Sequence, residues 1–365
     1  MWSNAIWSAL IGMVIVPALV LLYAYATTNS RGTQTPRQRS AAGAETDAPR
    51  TVVAATPKHE RELQPHSACR IFSLVERLHQ EASLPWGHVL DAGTGEHSLS
   101  WLVSLPSDSL TAVTGEPERQ VELSYLARNV LRSGDRVVSG NWLDSSLLAE
   151  QQYDTVIADY LLGSVEGFAP GFQTEIFARL RPLVRRRIYV IGLSPLPLSS
   201  DEPGGRLLIE IGRARDMCIL AAGRRPFREY EKEWARAQLE RSGFEIEHIT
   251  AVTSTYTRPF LRNQIAVASF MLEKAELRLG AEGYLSQLVL PSRFSRMYGG
   301  ANQLTVGLRA WLDQLRRHVD ELPPGEFKFG TDWIIAAKPT GHSAVTSVLT
   351  QGLSATPQQA QGLDY

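Results

Sequence analysis

The sequence of 365 residues predicts an α/β domain built on a seven-stranded, mostly parallel sheet with helices against it. Two observations support this fold class. Short apolar runs alternate with stretches of helical periodicity, which is typical of parallel strands joined by helical crossovers. Several of the runs also end in an acidic residue or a glycine turn. The predicted strands are 89–91, 110–114, 136–139, 153–160, 187–193, 244–249 and 332–337.

Helical periodicity fills the intervals between the strands. The spacing of apolar residues predicts an opening helix near 68–78 and further helices that follow most of the strands. About eighty residues separate the last two strands, and they contain two more helical patterns. We therefore expect a helical insertion at 251–325, where substrate choice would reside. The other predicted helices lie near 99–103, 121–130, 172–183, 207–222, 230–241, 260–279 and 303–322.

The most informative motif follows the first strand, where the chain reads Asp91-Ala92-Gly93-Thr94-Gly95. Glycine has no Cβ atom, so the chain can turn tightly here and bring its backbone against a ligand. A strand, a glycine turn and a helix in that order form the context that a nucleotide-type loop requires. This loop is the first candidate binding element.

Polar residues also follow the next three strands. Glu116 comes 25 residues after Asp91, which is near the interval at which an acid binds ribose hydroxyls in such sheets. Asn141 and Trp142 follow the third strand and are candidates to hold an adenine. The fourth strand ends in Asp159 and Tyr160. Because parallel strands bring their carboxyl ends to one edge, we expect these residues to share one site.

Together these motifs resemble the class I S-adenosylmethionine-dependent methyltransferases, over residues 65–250 and a returning strand near 331–337. The resemblance implies a Rossmann-like sheet whose last strand is antiparallel, S-adenosylmethionine as the cofactor, and a methyl acceptor. A third glycine is missing, since His97 stands where the usual form of the family has one. The implied cofactor-binding residues are Asp91, Gly93, Thr94, Gly95, Glu116, Asn141, Trp142 and Asp159, and the implied catalytic residues are Asp159 and Tyr160.

Other interpretations of the same residues stay open. Glu116 also fits a solvated loop acid, Trp142 a core aromatic, and Asp159 a helix cap. A nicotinamide-dependent oxidoreductase is one rival function, although its third loop glycine would fall near Ser98. A membrane-tethered binding or scaffold protein without catalysis is the other.

The range of possible methyl acceptors is narrowed mainly by motifs that the chain lacks. Methyltransferases of exocyclic base amines carry an Asn/Asp-Pro-Pro-aromatic run after the fourth strand, whereas this chain has Asp159-Tyr160-Leu161-Leu162. A small molecule is the favoured acceptor class. Asp159, Tyr160 and Glu166 are the candidates for a general base. Charged residues between 213 and 233 fit either a substrate-binding segment or a solvated helix face.

The first 26 residues differ from the rest in composition. Residues 5–26 carry no charge, and this uncharged run is long enough to form a helix that crosses a bilayer. We predict a single-pass membrane anchor at 1–26, a disordered linker at 27–64, the catalytic domain at 65–339 and a disordered tail at 340–365. Arginines follow the apolar run, so the domain is expected on the cytoplasmic side. A cleaved signal peptide ending near Ala26 is the alternative.

Composition narrows the function classes further. The net charge is −1, and no basic run interleaved with aromatic residues is present. We therefore expect no nucleic-acid partner. The two cysteines, Cys69 and Cys218, form neither a disulfide framework nor a metal-ligand cluster, and no metal is predicted.

Overall fold

The computed structural model describes residues 70–289 and 295–341. The predicted anchor at 1–26, the linker at 27–64 and all but the first two residues of the tail at 340–365 lie outside this part of the chain. No helix within the described ranges is both long and apolar enough to span a bilayer.

A single seven-stranded sheet organises the domain, as predicted. Its strand order is β3-β2-β1-β4-β5-β7-β6. All neighbouring strands pair in parallel except β7, which is antiparallel to both β5 and β6. The prediction of a mostly parallel sheet with an antiparallel last strand is therefore confirmed. The strands are β1 His88–Asp91, β2 Ser109–Thr114, β3 Arg136–Ser139, β4 Tyr153–Asp159, β5 Val184–Leu193, β6 Phe244–Thr257 and β7 Glu326–Pro339.

Helices cover both faces of the sheet and its β6–β7 end. In chain order they are α1 Arg70–Glu81, α2 Glu96–Leu102, α3 Pro117–Leu126, α4 Leu161–Ser164, α5 Ile176–Leu180, α6 Pro203–Ala221, α7 Lys232–Arg241, α8 Arg258–Val289 and α9 Ser295–Glu321.

Alternation along the strands divides the core into two layers. Val89 of β1 faces the layer that packs against α1, α2 and α3, whereas its neighbour Leu90 faces the layer that packs against α5 and α7. Successive side chains of a strand point to opposite faces, so a buried strand supplies both layers. This explains why the strands of this sheet have continuous apolar runs.

A third apolar cluster lies among α6, α8 and α9. It includes Leu208, Ile265 and Leu312, and it continues onto Tyr256 and Phe329 from the ends of β6 and β7. The two long helices confirm that the interval before the last strand is helical. The start predicted at 251 was wrong, because β6 continues to Thr257 and pairs there with Glu326 of β7.

The helix predicted over 172–183 is also shorter than expected. Only Ile176–Leu180 forms an α-helix, between 3-10 turns at Phe172–Thr174 and Arg181–Leu183. Pro182 accounts for the early end, since it has no N–H to donate back to the preceding turn of the helix.

Candidate active-site cavity

A cavity of about 640 Å³ lies at the carboxyl ends of the parallel strands. Gly93, Gly95, Asn141, Asp159 and Tyr160, which follow β1, β3 and β4, line it. Its opposite wall comes from the segment after β5, from α6 and from residues near the ends of β6 and β7. Ligands of open α/β sheets bind beyond the carboxyl ends of the strands, where the strand order reverses. The cavity therefore lies where the sequence predicts a site.

Asp91 organises the glycine loop from below. It is fully buried; its Oδ2 accepts a hydrogen bond from Ser98 Oγ at 2.8 Å, and its Oδ1 accepts one from the Gly93 N–H at 3.4 Å. Burial raises the pKa of Asp91 to about 6, and the hydrogen bonds from Ser98, Thr94 and Gly93 oppose that rise. Asp91 itself does not line the cavity, so its place is to hold the loop that does.

Ser98 stands near the position of the missing third glycine. Besides donating to Asp91, Ser98 Oγ accepts a hydrogen bond from the Gly95 N–H at 3.0 Å. Thr94 N–H donates to Val113 O at 2.7 Å, which joins the loop to the neighbouring strand β2. A hydroxyl at this position thus ties the two ends of the turn together.

Trp142 and Asn141 shape the wall beside the loop. Trp142 is 4% exposed, and its Nε1 donates to Ala92 O at 2.8 Å, so the indole supports the glycine loop while one part of it lines the cavity. Asn141 Nδ2 donates to Phe168 O at 2.9 Å, and its Oδ1 accepts from the Leu143 N–H at 3.0 Å. Trp142 is therefore a buried core aromatic that also lines the cavity.

Glu116 is half-buried at the start of α3 and does not line the cavity. Its Oε2 is buried, and no hydrogen-bond partner for it occurs in the part of the chain that the structure describes. Burial raises the pKa of Glu116, and the nearby Arg224 opposes that rise. The ring of Phe168 lies against Gly115, where an added Cβ would come within 2.6 Å of it. Phe168 therefore covers the end of β2 beside Glu116.

Asp159 and Tyr160 lie at the floor of the cavity. Asp159 Oδ1 is buried without a hydrogen-bond partner among the described residues. Burial raises the pKa of Asp159 well above its usual range, and the charges of Asp91 and Asp332 raise it further. Tyr160 has φ 47°, a left-handed conformation that costs free energy in a non-glycine residue and is common at functional sites. Its hydroxyl donates to Asp332 Oδ1 at 3.0 Å.

A second polar group completes the floor, and the sequence did not predict it. Asp332 Oδ2 accepts from Ser254 Oγ at 2.5 Å, and both residues line the cavity with Tyr256 and Glu229. Burial raises the pKa of Glu229 to about 7, with Asp332 raising it and Arg215 lowering it. The only sequence signal for Asp332 was its position at the start of the predicted last strand.

Two predictions about charged residues have different outcomes. Glu166 was wrong as a candidate base: it does not line the cavity, and it is held by Gly171 N–H at 3.0 Å, by Gln173 Nε2 at 2.9 Å and by Arg225. These hydrogen bonds lower the pKa of Glu166. The segment between 213 and 233 does contribute to the cavity, through Arg213, Arg215, Asp216, Arg228 and Glu229.

Metal ligation has no support in this region. No group of three or more histidine, cysteine or acidic side chains in residues 70–289 and 295–341 is placed to hold a metal ion.

Comparison with known proteins gives similarity only at the level of structure. No protein-family model matches the chain, and no curated protein matches it. The chain is similar to the YcgJ protein from Bacillus subtilis, with 13% identity, a TM-score of 0.43 and coverage of 73% of this chain and 98% of that chain. It is also similar to an S-adenosylmethionine-dependent methyltransferase from Geobacter sulfurreducens in complex with S-adenosyl-L-homocysteine, with 12% identity, a TM-score of 0.37 and coverage of 77% and 94%.

A third similar structure is that of the cyclase SpnF, with 14% identity, a TM-score of 0.40 and coverage of 78% of this chain and 88% of that chain. A fold of this kind hosts more than one reaction, and function resides in the site. The fold of this chain is therefore described by its own sheet topology, and the roles of its residues depend on its own cavity.

Proposed function

We propose that this chain is an S-adenosylmethionine-dependent methyltransferase that acts on a small molecule. The observation that carries the proposal is the convergence of three predicted elements on one cavity: the glycine loop at Gly93 and Gly95, the segment at Asn141 and Trp142, and the strand end at Asp159. The cavity of about 640 Å³ lies within the range of pockets for small ligands.

The polar groups in and beside the cavity fit this cofactor. Glycine residues permit close approach of backbone to the ligand. Two acid oxygens near the loop, Glu116 Oε2 and Asp159 Oδ1, are buried without hydrogen-bond partners within the described ranges. A buried acceptor without a partner is costly, so each favours a ligand that brings a donor. Ribose hydroxyls suit Glu116, and a positively charged group suits Asp159.

The reaction needs positioning more than chemical assistance from the protein. The bound cofactor supplies a methyl group that its sulfonium already activates. The chain's part is to align the acceptor and to exclude water, which accounts for much of the rate in reactions of this kind. Tyr160 and Asp332 are joined by a hydrogen bond across the floor of the cavity. This contact fixes the surface against which an acceptor would lie.

The membrane anchor belongs to the same proposal. The uncharged run at 5–26 would tether the domain to a membrane as a single-pass helix, with the catalytic domain on the cytoplasmic side. It lies outside the described residues, and its support is the sequence alone.

Calorimetric titration of the full chain with S-adenosylmethionine, S-adenosylhomocysteine and NADH tests the proposal. We expect both sulfur nucleosides to bind and Glu116→Ala to weaken their binding, because the ribose hydroxyls would lose the buried Glu116 Oε2 as their acceptor. Glu175→Ala is the matched control, since Glu175 is exposed and lies off the cavity.

The same titration separates the rival functions. Binding of NADH alone would indicate the nicotinamide-dependent oxidoreductase. Binding of the sulfur nucleosides with no methyl transfer to any of a broad panel of acceptors would favour the non-catalytic scaffold. Absence of all binding would refute the proposed cofactor.

A further inference from the structure

We infer that the acceptor is an amine carried on an apolar group, and that Asp332, Glu229 and Asp159 bind its ammonium. This inference rests on the proposed methyltransferase function and names the substrate class for the same cavity. It depends on three features of the cavity: the positions of its acidic side chains, the acceptors that its arginines already have, and the apolar residues of its walls.

The acids gather around Asp332. Asp332 and Glu229 come from β7 and from the segment before α7, and both line the cavity together with Asp159 at the end of β4. The charge of Asp332 acts on Asp159, on Glu229 and on Tyr256. Asp332 already accepts hydrogen bonds from Tyr160 and Ser254, whereas Asp159 Oδ1 is buried with no partner among the described residues. The floor therefore has acceptor capacity to spare.

Most of the cations that line the same cavity already have acceptors. Arg215 donates to Asp216 at 3.1 Å and to Gln264 at 2.8 Å. Arg213 donates to Glu210 at 2.6 Å and to the Leu198 carbonyl at 2.9 Å. Arg228 is exposed and lies 5.5 Å from the ring of Tyr230. The acids of the floor are thus less compensated than the arginines.

This balance selects the charge of the group that enters. Burial raises the pKa values of Asp159, Glu229 and Asp332, and repulsion from neighbouring acids raises those of Asp159 and Glu229 further. A cation between them would relieve both effects, because an opposite charge favours the ionised acid. A carboxylate acceptor would instead add a further negative charge to the same space. The floor therefore favours an ammonium over a carboxylate.

The walls above the acids are apolar. Leu208 and Ile209 of α6, Phe260 of α8 and Leu196 from the segment after β5 line the cavity. Binding of an apolar group against these walls is favourable because it removes apolar surface from water, whereas a hydrated group would leave that surface in contact with water. An amine with an apolar substituent meets both parts of the cavity.

The transfer step needs only these residues and the sulfonium cofactor of the proposed function. The ammonium first gives a proton to a carboxylate of the floor, and Glu229 suits this because an acid whose pKa is near neutrality is an efficient base. The nitrogen lone pair then forms a bond to the methyl carbon. The carbon–sulfur bond breaks, its electron pair stays on sulfur, and the sulfonium charge passes to the methylated ammonium.

Titration with hexylamine and hexanoate, which have the same chain length and opposite charge, tests the inference. The full chain is first saturated with S-adenosylhomocysteine, and heat is then measured for each probe. We expect hexylamine to bind at least about tenfold more tightly than hexanoate, since a charge-assisted hydrogen bond is worth enough to change affinity by that factor.

Substitutions assign the binding to the floor. Asp332→Asn and Glu229→Gln are each expected to weaken hexylamine about tenfold. Asp108→Asn and Glu175→Gln are the matched controls, since both residues are exposed and lie off the cavity. Glu229→Gln keeps the test valid if Asp332→Asn fails to fold.

Binding of S-adenosylhomocysteine in every sample separates the two proposals. If it binds and hexanoate matches hexylamine, or both floor variants keep full hexylamine affinity, the amine inference is overturned and the methyltransferase proposal stands. If S-adenosylhomocysteine does not bind the wild-type chain, both are overturned.

Discussion

The cofactor side and the acceptor side of the cavity are built in different ways. On the cofactor side, functional residues directly follow strands: the loop Asp91 to Gly95 follows β1, and Asn141 and Trp142 follow β3. On the acceptor side, the hydrogen bond between Tyr160 and Asp332 joins residues 172 positions apart. Local motifs create the first half, whereas the antiparallel return of β7 creates the second. The two halves therefore depend on different parts of the chain and can be disrupted separately.

Removal of the Asp91 carboxylate is expected to have the largest effect, mainly on the cofactor side. Asp91→Ala removes the carboxylate that accepts from Ser98 Oγ and from the Gly93 N–H, and leaves Ser98 Oγ only the longer contact with Gly95 O at 3.3 Å. Two such bonds to a charged group are worth about 3 kcal/mol, so S-adenosylhomocysteine should bind about 100-fold more weakly by calorimetry. Asp108→Ala is the control. Unchanged affinity in Asp91→Ala would show that the loop keeps its shape without this support.

On the acceptor side, Glu229→Gln is expected to change how the free energy of unfolding depends on pH. The pKa of Glu229 rises from 4.5 to about 7 on folding, so the folded chain is favoured below pH 4.5 and loses that advantage as pH rises toward 7. Glutamine removes this loss. The gain in the free energy of unfolding over wild type should grow by about 2 kcal/mol from pH 5 to pH 8.

Urea denaturation of both proteins at the two pH values measures this gain. Arg215 and Asp332 face Glu229 and are present in both proteins. A gain that is constant with pH would mean that Glu229 ionises in the folded chain as it does in water.

Trp142→Phe tests whether the indole supports the glycine loop. The substitution keeps an aromatic ring but removes the donor to Ala92 O. An unsatisfied carbonyl in this place costs about 1 to 2 kcal/mol, so we expect lower stability and about tenfold weaker binding of S-adenosylhomocysteine. Trp234→Phe, on α7 and off the cavity, is the matched control. Equal affinities in the two variants would leave Trp142 as a core residue only.

Phe168→Ala should have the smallest effect, and in the opposite direction. The ring lies against Gly115 beside Glu116, where it competes with a ligand that reaches this acid. Its removal is expected to strengthen S-adenosylhomocysteine binding by about threefold, since a cost of less than 1 kcal/mol for moving the ring is removed. Calorimetry measures the change, and weaker binding would show that Phe168 belongs to the cofactor's own binding surface.

The candidate site was predicted from the sequence unevenly. Gly93, Thr94, Gly95, Asn141, Trp142, Asp159 and Tyr160 all line the cavity, as expected for residues at successive strand ends. Asp91 supports the loop from below, and Glu116 follows Gly115, against which the ring of Phe168 lies. Their binding roles stay predictions. Ser254 escaped prediction because it lies in residues that were assigned to the helical insertion, and Asp332 because nothing local indicates that its strand meets the end of β6.

The segment boundaries show the same limit. The start of the helical insertion was misplaced because β6 is longer than its apolar core, and its last residues are ordered by pairing with β7. Glu166 was mistaken for a base because its partners Gln173 and Arg225 reach it only in the folded chain.

The alternation of strands and helices, the glycine loop and the acids at the strand ends could all be predicted from the order of residues along the chain. These depend on side-chain periodicity and on backbone freedom at glycine, which act over a few residues. Which acids share the cavity floor, and which are hydrogen-bonded elsewhere, became known from the folded chain. Burial and electrostatic coupling depend on distances through space, and the pairing of β7 with β5 and β6 sets those distances.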